Sequence, residues 1–175
     1  DSFDKYVSQT NTTGGSGKVP FEGHYAYEYI FRMHKLDIRR FFSGTKEPVS
    51  ATRYRQEHYR KFWNTYRIKL GPYFNLLLEL CKKIEEIEEY EKSQYIGILK
   101  ARLSISELGL ICIYCAARTD DKQLLNYVKK FDLLEQLDDT DLLKSNIFAN
   151  VLAENYSDLP FYERLRSRVS EETLD

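Results

Sequence analysis

The chain has 175 residues, of which 42% are hydrophobic and 30% are charged, a balance that fits one globular domain. No apolar run approaches the ~20 residues of a membrane helix, and three cysteines, an odd number, exclude a disulfide framework. The net charge of −1 hides a segregation, because residues 32–69 carry a net charge of +8 and residues 131–175 one of −7. Such asymmetry is typical of a chain with an anion-binding face, or with two faces that pair.

The N-terminal stretch TNTTGGSGKVP is polar and rich in glycine, so residues 1–20 are predicted to form a flexible segment. It does not fit a phosphate-binding loop, because Thr12 replaces the first glycine of that motif and Val19 replaces its final Ser or Thr. Residues 21–175 are predicted to form a single helical domain. The chain begins at Asp1, and we expect it to be a fragment whose upstream segments lie outside the sequence.

The first half of the domain predicts three helices. An aromatic-rich helix is expected over about 21–42, and the stretch SGTKEPVS then interrupts it. Ser50 is suited to cap a second helix over about 51–69. The stretch LGPYF predicts a break, after which Pro72 lies in the first turn of a third helix over about 72–89.

The second half continues the helical pattern. A fourth helix is expected over about 92–103, and Ser104 with Glu107 forms a capping box that predicts a fifth helix over about 105–117. A sixth helix is expected to begin with a cap at Asp120 or Asp121 and to end near 130. Two further helices are expected over about 139–153 and 158–169. No sequence repeat or alternating strand pattern is present. The fold class is therefore all-α, an irregular bundle of about six to eight helices.

Cys112 and Cys115 form a Cys-x-x-Cys pair inside the most apolar predicted helix. A redox pair needs a thiol activated at a helix start, and structural zinc needs four ligands as a rule. The three histidines have no ligand spacing relative to the pair, so packing in the core is favoured over a metal or redox site. We expect no metal and no cofactor. The predicted core is led by Phe74, Leu77, Leu103, Leu108 and Ile111.

Three blocks of the sequence resemble the putative phage abortive infection proteins, the AbiC-like family: LGPYFNLLLELCKKIEE, YIGILKARLSISELGLICIYCAA and YVKKFDLLEQL. The resemblance covers about residues 60–140. The motif positions are Tyr73, Phe74, Lys100, Arg102, Ser104 and Glu107. Two of them depart from the family pattern, since Lys100 lies where we expect Arg and Arg102 where we expect Gln, and Phe131 takes a Tyr position in the third block.

The resemblance implies a bacterial protein with a role in defence against phage. It supplies no catalytic residues. The three cysteines without a disulfide framework favour a reducing, cytosolic setting. Because family members often have membrane helices upstream of the domain, the resemblance implies membrane tethering only through segments absent from this chain.

Residues 53–69 interleave cations with aromatic rings. The cations are Arg53, Arg55, Arg60, Lys61, Arg67 and Lys69. Cations neutralise phosphates and rings stack on unpaired bases, so this segment is a candidate for binding nucleic acid. The spacing of Tyr59, Phe62, Trp63 and Tyr66 is also that of a core-facing helix stripe, which leaves the cations on a solvated face. An acidic partner, including residues 131–175, is the third interpretation.

The same segment contains Arg53-x4-His58, a spacing that resembles the motif of HEPN ribonucleases, in which His is a general acid/base and Arg stabilises phosphate. Tyr54 departs from that motif, where a small polar residue is expected, and the motif lies early in the chain. His24 and His34 are predicted to lie at the surface or to make a local contact. Whether the chain is an enzyme therefore stays open.

The leading hypothesis is a helical module of an anti-phage protein that senses or relays infection through contacts with a protein partner or a second copy. The alternatives are a HEPN-like ribonuclease and an RNA-binding helical module, both using residues 53–69.

Overall fold

The computed structural model describes residues 24–42, 50–118, 122–138 and 146–172. Within these ranges every regular element is helical, which confirms the predicted all-α class. The elements are α1 (His24–Phe42), α2 (Ala51–Arg53), a π-helix π1 (Tyr54–Tyr59), α3 (Arg60–Glu85), α4 (Glu89–Arg102), α5 (Ile105–Ala117), α6 (Gln123–Lys130), α7 (Asn146–Tyr156) and α8 (Pro160–Glu172). Because α2, π1 and α3 join end to end, the described ranges form seven helices, within the predicted number. The predicted N-terminal segment and the Asp120 or Asp121 cap lie outside the described residues.

Helix α5 is the centre of the core. Most of its side chains are buried, and it packs against α1, α6 and α7. Gly109 lets α1 approach closely, because a Cβ atom at this position would lie 2.3 Å from the ring of Phe31. Four of the five residues expected to lead the core, Phe74, Leu77, Leu108 and Ile111, are buried, and Leu103 packs half-buried against them.

The start of α5 is fixed by the predicted capping box. The Ser104 Oγ atom accepts a hydrogen bond from the Glu107 amide at 3.2 Å, and the Glu107 carboxylate accepts one from the Ser104 amide at 3.0 Å. Two amides that have no partner in the helix are thereby satisfied. Because α4 ends at Arg102, only two residues separate the two helices.

The predicted break at Pro72 is wrong, since Pro72 lies inside the 26-residue helix α3. A proline inside a helix leaves the carbonyl four residues earlier without its amide partner. Here that residue is Ile68, which is 84% exposed, and Pro72 is itself exposed. Water can reach the carbonyl at this surface, so the helix continues through the proline.

The π-helix π1 is a feature that the sequence does not announce. Its i→i+5 pattern includes a hydrogen bond from the Arg60 amide to the Arg55 carbonyl, and it turns Tyr54, His58 and Tyr59 into the core. Upstream of it, the Ser50 Oγ atom accepts a hydrogen bond from the Arg53 amide at 3.2 Å, which confirms the predicted cap.

Helices α7 and α8 close the described part of the core. The Tyr156 hydroxyl donates a hydrogen bond of 2.9 Å to the Cys112 carbonyl, and its ring packs edge-on against Phe161 at 5.5 Å. These helices correspond to the last two predicted ones, and residues 139–145, where the seventh was expected to begin, lie outside the described residues.

Candidate functional site

The cysteine pair is part of the core. Cys112 and Cys115 are free thiols at most 2% exposed, as the sequence predicts. Burial raises the pKa of the Cys112 thiol, and it raises the pKa of Cys81 to about 12. The Cys112 and Cys81 thiols are therefore protonated at neutral pH, and a protonated thiol is a poor nucleophile. Within the described ranges, no group of three or more His, Cys, Asp or Glu side chains is arranged to hold a metal ion.

Arg53 and His58 lie in different environments. The Arg53 side chain is half exposed, and its Nε atom lies 3.0 Å from the Glu57 carboxylate. His58 is buried, with only 4% of its surface exposed. A general acid or base must come within hydrogen-bond reach of the substrate. The buried His58 ring offers little surface to a substrate, and the role of the two residues in a ribonuclease stays a prediction.

His58 belongs instead to a buried polar cluster with His34 and Tyr54. The His34 Nε2 atom lies 2.9 Å from the Tyr54 hydroxyl, and the two imidazole rings meet edge-on at 5.2 Å. Burial, and then the nearby His58, hold the pKa of His34 well below its usual value. Burial also lowers the pKa of His58, against an opposing effect of Asp37. The prediction that His34 lies at the surface or makes a local contact is wrong, because His34 is fully buried and its partner is 20 residues away. The cluster joins α1 to π1.

Arg55 is withdrawn from the predicted basic face. Its Nε and Nη2 atoms donate hydrogen bonds of 3.3 Å to the Ala116 carbonyl, and Nη2 lies 2.9 Å from the Glu154 carboxylate. The Asn155 amide donates to the same carbonyl. Ala116 lies in the last turn of α5, where carbonyls have no partner within the helix. Arg55 therefore links π1, α5 and α7.

Four of the predicted cations remain at the surface of α3: Arg60, Lys61, Arg67 and Lys69. None of them forms an ion pair with a carboxylate whose side chain the structure describes. The aromatic residues between them face inward, since Tyr59 and Phe62 are buried and Trp63 and Tyr66 pack half-buried against the core. The predicted core packing of these rings is confirmed, and they do not form a stacking surface beside the cations.

The outward surface of α3 also carries a row of exposed apolar side chains, here called the apolar stripe: Ile68, Pro72, Leu76 and Leu80. The exposed fractions of Ile68, Leu76 and Leu80 are 84%, 70% and 44%. Sequence reasoning missed this stripe, although the four residues recur at intervals of four, which places them along one side of a helix. Exposed apolar groups with polar neighbours often mark interaction surfaces.

Helix α4 also carries exposed apolar side chains. Only Leu99 is buried among its side chains, whereas Tyr90, Tyr95 and Ile98 are exposed. In the part of the chain with described side chains, only Tyr25 and Leu36 are large exposed apolar residues outside α3, α4 and the first turn of α5. The apolar surface is therefore concentrated on two consecutive helices.

The aromatic family-motif positions hold α3 against its neighbours. Phe74 stacks on Tyr114 of α5 with the ring centres 3.9 Å apart, and Tyr73 packs against Tyr27 of α1 at 4.7 Å. Burial, and then Glu107, raise the pKa of Tyr73, which keeps it neutral.

The polar family-motif positions are likewise structural. Lys100 lies 2.7 Å from the carboxylate of Glu135, which ties α4 to the turn after α6. Ser104 and Glu107 form the cap of α5. Arg102 is exposed. Five of the six motif residues thus hold helices together or cap a helix, which is a structural role.

A shallow cleft of about 370 Å³ lies between the end of α3 and one side of α6. Its cations have acidic partners, since Lys130 lies 2.7 Å from Glu85 and Lys82 lies 2.7 Å from Glu79. The cleft is therefore not a strongly charged binding site.

Over the residues that the structure describes, no helix combines the length and the apolarity needed to cross a membrane. No curated protein and no solved structure matches the chain. One family model matches residues 65–142, a span that includes most of α3, all of α4, α5 and α6, and the apolar stripe. The description of that family is "Putative phage abortive infection protein", so the family predicted from the sequence is confirmed for this segment.

Proposed function

We propose that this chain is a non-enzymatic helical module of a bacterial anti-phage protein, which senses or relays infection through protein contacts. The observation that carries the proposal is the apolar stripe. It lies on α3 within the segment that matches the phage abortive infection family. Leaving large apolar side chains in water forgoes stabilisation that a partner surface can supply.

The chemistry around the stripe also suits a protein partner. Lys69 is a direct neighbour of Ile68, and Arg67 lies on its other side in the sequence. Protein interfaces commonly combine an apolar centre with a charged rim, in which the apolar groups contribute affinity and the charges contribute specificity.

Binding of RNA is less well supported, because the rings between the cations face the core and are not available to stack on bases. Cleavage of RNA by Arg53 and His58 would require the buried His58 ring to reach a substrate. The arrangement of the described residues therefore favours protein contacts over both alternatives.

The first test is phage protection in bacteria that express the protein. Leu76→Asp places a charge in the apolar stripe and is expected to abolish protection at an unchanged protein level. Leu36→Asp is the matched control, because Leu36 is an exposed leucine on α1, outside the matched segment. Protection that survives Leu76→Asp would contradict the proposal.

The second test separates the alternatives on purified protein. Cleavage of RNA that disappears in a folded His58→Ala variant would support the ribonuclease and contradict the proposed function. Binding of RNA that weakens steeply with salt, without cleavage, would support an RNA-binding module instead. We expect neither result.

A further inference from the structure

The outward side of α3 has an apolar centre between two ends of opposite charge. Residues 60–69 contain four Lys/Arg and no Asp/Glu. Residues 79–92, which include the end of α3 and the start of α4, contain six glutamates against three lysines, a net charge of −3. Lys130 of α6 pairs with Glu85 and reduces the net charge of this end to −2. The apolar stripe lies between the two ends, with its midpoint at residue 74. When a second copy of this surface is turned end to end, its basic end therefore faces the acidic end of the first copy.

We infer that the partner on this surface is a second copy of the chain, with the two α3 helices antiparallel about a twofold axis near residue 74. This inference rests on the proposed function and names the partner of the same surface. In that register Ile68 lies opposite Leu80 of the second copy, and Pro72 lies opposite Leu76 of the second copy. The apolar stripe then covers itself, which is the property of a closed twofold interface.

The charges select the antiparallel orientation. Lys61 lies opposite Glu86 of the second copy to within one residue. At 100° per residue the two positions differ by only about 20° around the helix, so they lie on the same side of it. By the same measure the stripe winds by about 120° from Ile68 to Leu80, so the two helices cross at an angle. A parallel pair would place the basic ends together, which like charges disfavour. Glu86 already contacts Lys83 at 2.8 Å, but that pair is exposed and contributes little, so it does not prevent a new contact.

The acidic end of α3 also argues against other occupants. A nucleic acid or an anionic membrane that covered the stripe would bring its negative charges against the glutamates of residues 79–92. A second copy places cations there instead. The self-complementary surface is thus satisfied best by another molecule of the same chain.

Analytical ultracentrifugation of the purified chain over a range of concentrations tests the inference. We expect a monomer–dimer equilibrium, and Leu80→Asp is expected to raise the dimer Kd at least about tenfold. Leu36→Asp is a matched control, because Leu36 and Leu80 are both 44% exposed but lie on different helices. Its Kd should equal that of the wild type. Circular dichroism checks that each variant stays folded.

A charge exchange tests the register. Lys61→Glu and Glu86→Lys should each raise the Kd about two- to fivefold, and the double variant should restore it, because the pair is reformed with its signs exchanged. A chain that stays monomeric to about 100 μM, or a double variant weaker than either single one, overturns the inference.

Phage protection separates this inference from the proposed function. If Leu80→Asp abolishes the dimer while both Leu80→Asp and Leu76→Asp still protect, the dimer is correct and the proposed function fails. If the wild-type chain is monomeric and Leu76→Asp still abolishes protection, the dimer is wrong and the proposed function stands.

Discussion

Acidification is expected to destabilise this fold through His34. The side chain is fully buried, it contacts the Tyr54 hydroxyl, and it lies beside His58. Burial and the second imidazole lower its pKa well below the usual value in the folded chain. The unfolded chain binds a proton at this residue near pH ~6.5. Below that pH the unfolded state therefore holds more protons than the folded state, and the free energy of unfolding falls as the pH falls.

The size of the effect follows from the burial of His34. If the folded state does not take up the proton, His34 alone lowers the free energy of unfolding by about 1.4 kcal/mol between about pH 7.5 and about pH 5.5. The contribution is fully present above pH ~6.5 and is lost as the pH falls toward the folded-state pKa. His58 acts in the same direction because its pKa is also lowered.

Urea unfolding at the two pH values, followed by circular dichroism, measures this loss in the wild type and in His34→Gln. Glutamine keeps a hydrogen-bonding group beside Tyr54 but does not titrate, so the variant should lose about 1.4 kcal/mol less on acidification. The surface carboxylates are common to both proteins and cancel in the difference. His58→Gln, which retains His34, should keep the larger part of the pH dependence. Equal pH dependences in wild type and His34→Gln would refute the argument.

Three further changes test the packing and the capping of the described helices. Gly109→Ala should destabilise the fold by about 1–3 kcal/mol, because the added methyl group would overlap the Phe31 ring. Gly97 has open space around it, so Gly97→Ala should stabilise α4 by about 0.5–1 kcal/mol. Equal thermal denaturation midpoints for the two variants would contradict this prediction. Ser104→Ala should lower the free energy of urea unfolding by about 0.5–2 kcal/mol through loss of the α5 cap, and a change near zero would argue against the capping box. Arg55→Met should cost about 0.5–1.5 kcal/mol in the same assay, because the Ala116 carbonyl keeps only the Asn155 donor and the exposed Glu154 carboxylate loses its ion-pair partner. An unchanged midpoint would show that the linkage between π1, α5 and α7 contributes little.

Features that depend on neighbouring residues could be predicted from the sequence. The capping box at Ser104 and Glu107 and the cap at Ser50 need only short spacings, and both are present. The burial of Cys112 and Cys115 followed from the apolar surroundings of the pair within one helix.

Features that depend on distant residues could not be predicted. The sequence suggested a break at LGPYF, with Pro72 in the first turn of a new helix, but the exposure of Ile68 is set by how α3 lies on the core. It grouped Arg55 with the other cations, since nothing local reveals that the Ala116 carbonyl and Glu154 lie within its reach. Periodicity also gave no means of distinguishing the exposed stripe from the buried one, because both recur at helical intervals.

The π-helix π1 has a consequence for chain length. A π turn holds about one residue more than an α turn, so the segment Tyr54–Tyr59 contains one residue in excess of regular α geometry. Deleting that residue would restore a regular helix but rotate everything before it by about 100° relative to α3. A homologous chain with an uninterrupted α-helix here should therefore be one residue shorter between Ser50 and Arg60. In such a chain a group other than the Arg55 guanidinium would have to donate to the carbonyl at the end of α5.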